Sequence, residues 1–406
     1  MGIKLRVSAP ARADFLNTHQ DYKGLPVVSA GLNLRLRIRG EAITGTMIKV
    51  NSLNLERLGL PSYDEFDLKE ITYRGSGWFG DYVRAVVNVL KKAGYYGKLG
   101  GSQMTIESDI PIGAGLGSSG ALEVTVAKFL DATFNLGLPR HELAEYAYLA
   151  EREELCIPCG RLDQYGSAYG GILKIETRPP YRVEELPFRA ITLTIIDSGI
   201  KHSTAQIHPV RQQEIDEGLT ALLEAKLPPT LHTKLAQKHY EVRWEELTED
   251  ELAPFLSMMS EKSAKRILFT IKMQESTELA LRLLRGENVN AMDILRLSDR
   301  DIRHLLPYIG PEKRSYVLLG ELMNYQHRLL RDLYELSLPE LEKLRTAMLS
   351  AGANGVKLSG AGMGGALIAL SSSKEEATRV LRAALDAGAP GGWVSGIADG
   401  VQVEGL

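Results

Sequence analysis

The chain has 406 residues, 44% hydrophobic and 24% charged, an ordinary composition for a globular protein, and its length suits two domains with a core that needs no disulfide or metal staple. Lysine plus arginine number 48 and aspartate plus glutamate 51, a formal charge of −3 that argues against nucleic-acid or membrane-surface partners held by charge. Two cysteines exclude a disulfide framework and a four-cysteine zinc site.

The opening residues MGIKLRVSAP lack the apolar stretch of a signal peptide and the hydroxyl residue of a myristoylation signal. No run of about 18 apolar residues suggests a membrane span, so a cytoplasmic location is expected. Leu32, Leu34, Leu36 and Ile38 alternate with Asn33, Arg35, Arg37 and Arg39, and this period of two predicts a half-buried antiparallel strand. Residues 103–110 predict a second strand. A glycine-rich loop at 112–117 follows. A helix is expected over 118–134, with Leu122, Val126 and Leu130 four residues apart, and another over 141–153. Residues 169–180 read as a strand with a polar exit at Pro179-Pro180.

A domain boundary is placed near residue 188, giving domains 1–188 and 189–406. Residues 191–197 form a strand, and 210–348 is mostly helical, broken at Pro228-Pro229 and between Pro307 and Pro311. A second glycine loop, 360–365, leads into the apolar run 366–370. Ser373 with Glu376 makes a capping-box signature, and Gly388 and Pro390 supply the stop of the last helix.

Glycine is over-represented, 39 of 406, and it clusters in those two loops. In the first, Gly113-Ala114-Gly115-Leu116-Gly117 runs directly into Ser118-Ser119 at a helix start. Glycines let the backbone approach a ligand closely, and a helix N-terminus offers free N–H groups and the positive dipole end. Together they make a phosphate site, with serine hydroxyls available for capping or for Mg²⁺. Gly115 to Gly120 also fits G-x-G-x-x-G, but the preceding segment alternates and carries Glu107 and Asp109, unlike the apolar strand of a dinucleotide fold. A Walker A motif is absent. Cys156-Ile157-Pro158-Cys159 is a C-x-x-C without the thioredoxin-like setting that a redox role needs.

These motifs resemble the GHMP small-molecule kinases, and the galactokinase branch within them. P-x-x-x-G-L-G-S-S is the central motif of that family. Residues 10–22, PARADFLNTHQDY, resemble the galactokinase signature P-G-R-V-N-L-I-G-E-H-T-D-Y. Ala150-Glu151 followed by 158–164, PCGRLDQ, resembles A-E … P-C-G-I-M-D-Q. Residues 323–332 resemble the M-N-x-x-H-x-x-L-R-D helix, and 355–365 the C-terminal glycine loop. The motifs keep the family's order across residues 10–366.

The resemblance implies an α+β, two-domain GHMP kinase fold, with a ribosomal-protein-like N-terminal domain and a ferredoxin-like C-terminal domain. It implies ATP-dependent phosphorylation of a monosaccharide hydroxyl, at C1 of galactose or a related sugar. Asp163 would be the catalytic carboxylate and Arg12 its cationic partner. Gly113, Ala114, Gly115, Leu116, Gly117, Ser118 and Ser119 would hold the phosphates of ATP. Ser119 and Glu151 would hold Mg²⁺, and Trp78 would lie near the adenine. Gly362 and Gly364 belong to the loop that would close the site. Thr18, His19, Asp21, Gly160, Asp163 and His208 would line the sugar. The implied partners are sugar and ATP, for a monomer or homodimer.

The sequence departs from the galactokinase pattern at the sugar. Thr18 stands where galactokinases carry Glu, which typically contacts the C6 hydroxyl, and Asn17 stands where they carry Gly. Residues 201–204 resemble their K-H-S-L segment, but His208 or Pro209 replaces the expected Tyr. Gly120 stands where Ala is usual, and Lys357 where Arg is. An amino sugar, a uronic acid and a pentose therefore join galactose as candidate substrates. A catalytically silent sugar and ATP sensor is the alternative from another class, and a nicotinamide-dependent oxidoreductase the remote one.

Overall fold

The computed structural model describes residues 4–405 except 76, 201–203, 301 and 305, so most of the 201–204 resemblance lies outside the described residues. The chain divides into two compact units, each assembled from separated stretches. Met1–Ala13, Ala30–Leu173 and Ile397–Leu406 make the first, and Asp14–Ser29 with Lys174–Gly396 the second. This division is interleaved, where the sequence suggests one cut near 188. Its cause is the course of two long strands, Leu5–Leu16 and Val27–Ala42, each of which leaves one unit for the other along its own length.

In the first unit a mixed sheet runs in the order Gln402–Glu404, Leu5–Leu16, Val27–Ala42, Ser102–Ser108, Met47–Ser52, Tyr63–Asp67. The alternation read at 32–39 holds: Leu32, Leu36 and Ile38 are buried while Asn33 and Arg39 are exposed. Ser102–Ser108 pairs antiparallel with Val27–Ala42 and parallel with Met47–Ser52. A parallel pair needs a crossover, and the helix Phe79–Leu90 lies within it, burying Val83, Val86, Val87 and Leu90 on one stripe. The helix Ser118–Phe134 has its expected bounds and packs against Phe79–Leu90, Arg140–Leu149 and Leu162–Tyr169. The helix expected over 141–153 stops at Leu149 and continues as a wider turn, Ala150–Glu154. The strand expected over 169–180 is confined to Ile172–Ile175.

The second unit holds a four-stranded antiparallel sheet in the order Gly391–Gly396, Thr192–Asp197, Ala366–Ser371, Gly355–Ser359. Numbered along the chain, that order is fourth, first, third, second, the ferredoxin-like arrangement. The helical region expected over 210–348 fills the connection between its first and second strands, and includes Thr204–Glu224, Glu261–Leu284, Pro311–Arg328 and Pro339–Ser350. Pro229 and Pro311 open helices, where a missing N–H does no harm. The last helix, Lys374–Asp386, is capped by Ser373, whose hydroxyl accepts from Glu376 N–H at 3.2 Å; the Glu376 carboxylate reaches Ser372 N–H instead of Ser373, so the capping box is closed one residue early. Ile196, Phe269, Met273, Tyr334, Leu358 and Leu367 belong to one buried cluster, and Trp244, Ile215, Leu219 and Ile267 to another. No described helix is long and apolar enough to cross a membrane.

Candidate functional site

In the first unit the glycine loop is built as its sequence demands. Gly113, Gly115 and Gly117 have φ of 77°, 73° and 73°, a left-handed region that side chains rarely tolerate. Gly117 is the N-cap of Ser118–Phe134 and no side chain caps that end, so the serines leave its first N–H groups free. Arg12 braces the loop: its N–H donates to Leu116 O at 3.1 Å and its Nη1 to Gly115 O at 2.6 Å. A Cβ on Gly117 would stand 3.1 Å from Arg12 Nε, so the third glycine is also required by the arginine's approach.

The same arginine holds Asp163. Nε and Nη2 both donate to Asp163 Oδ1, at 2.8 and 2.5 Å, and Arg12 is only 7% exposed. Both donors converge on one oxygen, which leaves Oδ2 without a protein hydrogen bond among the described residues. Asp163 sits in the first turn of Leu162–Tyr169, just after the loop that carries Gly160. That helix lies against Ser118–Phe134 at Gly120, where a Cβ would come within 2.8 Å of Asp163 Cβ. Gly120 therefore sets how near the carboxylate stands to the loop.

Glu151 lies in the wide turn after Arg140–Leu149 and is 6% exposed. Gln164 Nε2 donates to its carboxylate at 2.6 Å, and Ser119 and Cys159 lie beside it. Burial, and secondly the charge of Asp163, push the Glu151 carboxyl above the usual carboxylate range. Glu123 is fully buried and pushed up further, by burial and then by Glu151. A region where carboxylates raise one another is relieved by a divalent cation. Ser119 and Glu151 supply two hard oxygen donors, and no group of three His, Cys, Asp or Glu able to hold a metal occurs among the described residues. That donor set fits Mg²⁺, which takes few protein ligands and fills the rest with phosphate and water.

Trp78 precedes Phe79–Leu90. Its ring lies 4.8 Å from that of Phe79 and under the Arg74 guanidinium, and its indole N–H is buried without a hydrogen-bond partner among the described residues. It is thus no ordinary core tryptophan. The C-x-x-C gains no redox support: both cysteines are free, and burial together with Glu151 pushes the Cys159 thiol up, opposite to what a thiolate nucleophile needs.

The second unit gathers the other candidates. His19 and His208 meet edge to face at 5.0 Å, with Tyr22 and Tyr334 against them. The Ala361 carbonyl lies 2.9 Å from His19 Nε2, so that nitrogen carries the proton, and Nδ1 is left to accept from the Tyr22 hydroxyl at 3.4 Å. Burial and His208 lower the His19 pKa well below its usual value, so the ring is neutral. Asp21 opens the short turn Asp21–Lys23. Gly362 and Gly364 lie in the loop between Gly355–Ser359 and Ala366–Ser371, with φ of 83° and 138°. A Cβ on Gly362 would meet Leu336 Cβ at 2.6 Å.

Thr18 is only 1% exposed. Lys357 Nζ donates to Thr18 Oγ1 at 2.8 Å, to Asp14 O and to Leu358 O, and Thr18 donates to Asp14 Oδ1 at 3.1 Å. Lys357 is therefore no surface lysine: burial lowers it to about 8, and it ties the residues after the first strand to the strand below the loop. Asn17 has φ of 62°, which explains why a glycine suits that position and why asparagine can replace it. Its side chain is consumed by Pro26 O, Gln274 and Thr277.

Sequence reasoning missed Glu123, Gln164, Tyr22 and Tyr334. Glu123 carries a readable signal, a lone acid within Ala121-Leu122-Glu123-Val124, one turn after Ser119. The aromatic pair carries none, because 312 residues separate Tyr22 from Tyr334.

Two family models match the chain: GHMP kinases N terminal domain over residues 81–171, within the first unit, and GHMP kinases C terminal over 305–390, within the second. A galactokinase of Thermococcus kodakarensis is 28% identical over 379 residues, covering 90% of this chain and 89% of its own. A galactokinase of Roseiflexus is 29% identical over 371 residues, covering 90% and 82%. Among solved structures, Lactococcus lactis galactokinase complexed with galactose superposes with a TM-score of 0.76 at 24% identity, over 98% of this chain and 95% of that one. Methanococcus jannaschii mevalonate kinase superposes at 0.66 with 18% identity, over 98% and 99%.

Proposed function

The chain belongs to the GHMP kinases and is a galactokinase-like sugar kinase, a phosphotransferase with an alcohol acceptor, and on that premise we propose that it phosphorylates the C1 hydroxyl of galactose or of a closely related sugar, an amino sugar, a uronic acid or a pentose. The observation that carries the reading is the Arg12–Asp163 pair seated on the glycine loop. Phosphoryl transfer asks little covalent chemistry of a protein; it asks for position and for charge where charge develops.

In this reading, the free N–H groups at the start of Ser118–Phe134 receive the phosphates of ATP, and Trp78 flanks the adenine. Ser119 and Glu151 would hold Mg²⁺, which when bound would offset the charge of the phosphates. Asp163 accepts the sugar hydroxyl's proton at Oδ2. Arg12 keeps Oδ1 occupied and so presents Oδ2, while its fixed positive charge faces the phosphoryl group. His19, Asp21 and His208 read the sugar hydroxyls. His19 is neutral, so it contributes a directional hydrogen bond and no charge. Thr18 acts at one remove, because its hydroxyl is already committed to Lys357 and Asp14.

ADP release over a panel of hexoses, pentoses, uronic acids and amino sugars tests the reading, with Asp163→Asn as control. Turnover of at least one sugar, lost in the variant, is expected. Binding of ATP and sugar with no turnover on any of them would describe a sensor instead.

A further inference from the structure

Glu123 has no part in the roles above, yet it is fully buried one helical turn beyond Ser119. Its carboxyl is bonded to Gln164, which is also fully buried and directly follows Asp163. The Gln164 amide nitrogen donates to Glu123 Oε2 at 2.9 Å and to Glu151 Oε2 at 2.6 Å. One amide thus bridges an acid of no assigned role to the acid that would hold the cation. Glu123 Oε1 and Gln164 Oε1 are buried with no hydrogen-bond partner among the described residues. A packed interior rarely keeps two such atoms, and an apolar side chain at 123 would remove one of them.

What Glu123 supplies is an acceptor that only the nitrogen end of the amide can satisfy. With that acceptor in place, Gln164 must turn its N–H groups toward both carboxyls. Without it, the amide can turn its oxygen toward Glu151, where two acceptors repel. We propose that Glu123 is a positioning residue: by fixing which end of the Gln164 amide faces Glu151, it holds the Glu151 carboxylate where Ser119 and a divalent cation meet it. This rests on the reading of Ser119 and Glu151 as the cation's ligands.

The test is Mg²⁺ binding itself, read by calorimetry on the full chain with a non-hydrolysable ATP analogue, beside steady-state kinetics. Outer-sphere partners of metal ligands typically contribute about 10–100-fold in affinity, so Glu123→Leu is expected to weaken Mg²⁺ by at least about 10-fold. It should lower kcat and leave the sugar KM unchanged. Glu123→Gln keeps an acceptor but adds a donor that can take the Gln164 amide oxygen, so it should fall between the parent and Glu123→Leu. A folded Glu123→Leu protein with parental Mg²⁺ affinity would overturn the proposal, as would a Glu123→Gln protein more impaired than Glu123→Leu. Should Glu123→Leu not fold, Gln164→Glu removes the donor while keeping the shape; weakened Mg²⁺ binding is again expected, and parental binding overturns the proposal. Because binding is measured without turnover, a chain that phosphorylates no sugar would refute the proposed function and leave this result readable.

Discussion

Arg12 and Asp163 stand 151 residues apart, yet two guanidinium nitrogens of the first end on a single carboxylate oxygen of the second, at 2.8 and 2.5 Å. The third nitrogen takes the Gly115 carbonyl at 2.6 Å, so one side chain ties the carboxylate to the glycine loop. A point charge on a flexible stem cannot make these three contacts together.

Replacement of this pair gives a graded expectation. Asp163→Asn leaves the fold intact and lowers kcat by about 10²–10⁴, the range of a lost acid–base group. Arg12→Lys keeps the charge but lets loop and carboxylate drift apart, and is expected to lower kcat by about 100-fold, the scale of a misplaced reacting group. ADP release on purified variants with parental melting temperatures measures both; rates within a few-fold of parental would remove the pair from the chemistry.

Gly120 yields a steric prediction. An added Cβ meets Asp163 Cβ at 2.8 Å, and the nearby contacts are backbone atoms of the same helix, which cannot swing aside. Gly120→Ala should cost about 1–3 kcal/mol of stability, as overpacking does, and should lower kcat because Asp163 is displaced. Urea midpoints and kcat on one preparation decide this; a variant with both unchanged shows that the two helices have room.

Acid sensitivity should come from His327, a buried residue of the helix Pro311–Arg328. Its Nδ1 accepts from Leu358 N–H at 3.3 Å and its Nε2 donates to Glu342 at 2.6 Å, so the neutral ring is fully used. Burial lowers its pKa to about 4, despite the pull of Glu342. The folded state thus binds fewer protons than the unfolded chain, whose histidine titrates near about 6.5. The stability this brings is complete above that value and drains away as pH falls toward about 4. Urea midpoints at pH 7, 5.5 and 4.5 should fall in that order, and less steeply for His327→Asn; parallel slopes would exclude His327 as the cause.

Lys357→Met strips three hydrogen bonds from buried acceptors, Thr18 Oγ1, Asp14 O and Leu358 O. A buried acceptor left unsatisfied costs about 1–3 kcal/mol, so a substantial drop in melting temperature is expected by calorimetry. A drop within experimental scatter would show that the lysine is not what secures Thr18.

What the sequence shows and what it hides divide along physical lines. The glycine loop at 113–117, the bounds of Ser118–Phe134 and the hairpin around 360–365 are legible because glycine and hydroxyl residues mark local backbone geometry. The alternation at 32–39 is legible because one face of that strand is buried. The interleaved units are not, since nothing local tells that Leu5–Leu16 changes allegiance midway. Thr18 stands out in the sequence as a departure, but only the structure shows its hydroxyl consumed by Lys357 from 339 residues away. Glu123 is marked in the sequence as a lone acid among apolar helix residues, but its partners come from other segments, and only the structure brings them together.

The most direct test of the central claim is ATP-dependent ADP release with Mg²⁺ across the monosaccharide panel, followed by identification of the phosphorylated carbon by ³¹P and ¹³C NMR. Turnover of galactose or a close relative with phosphate on C1, abolished in Asp163→Asn, is the expected result. Turnover of no sugar by a folded protein that still binds ATP, or a phosphorylated sugar whose formation survives Asp163→Asn unchanged, would contradict it.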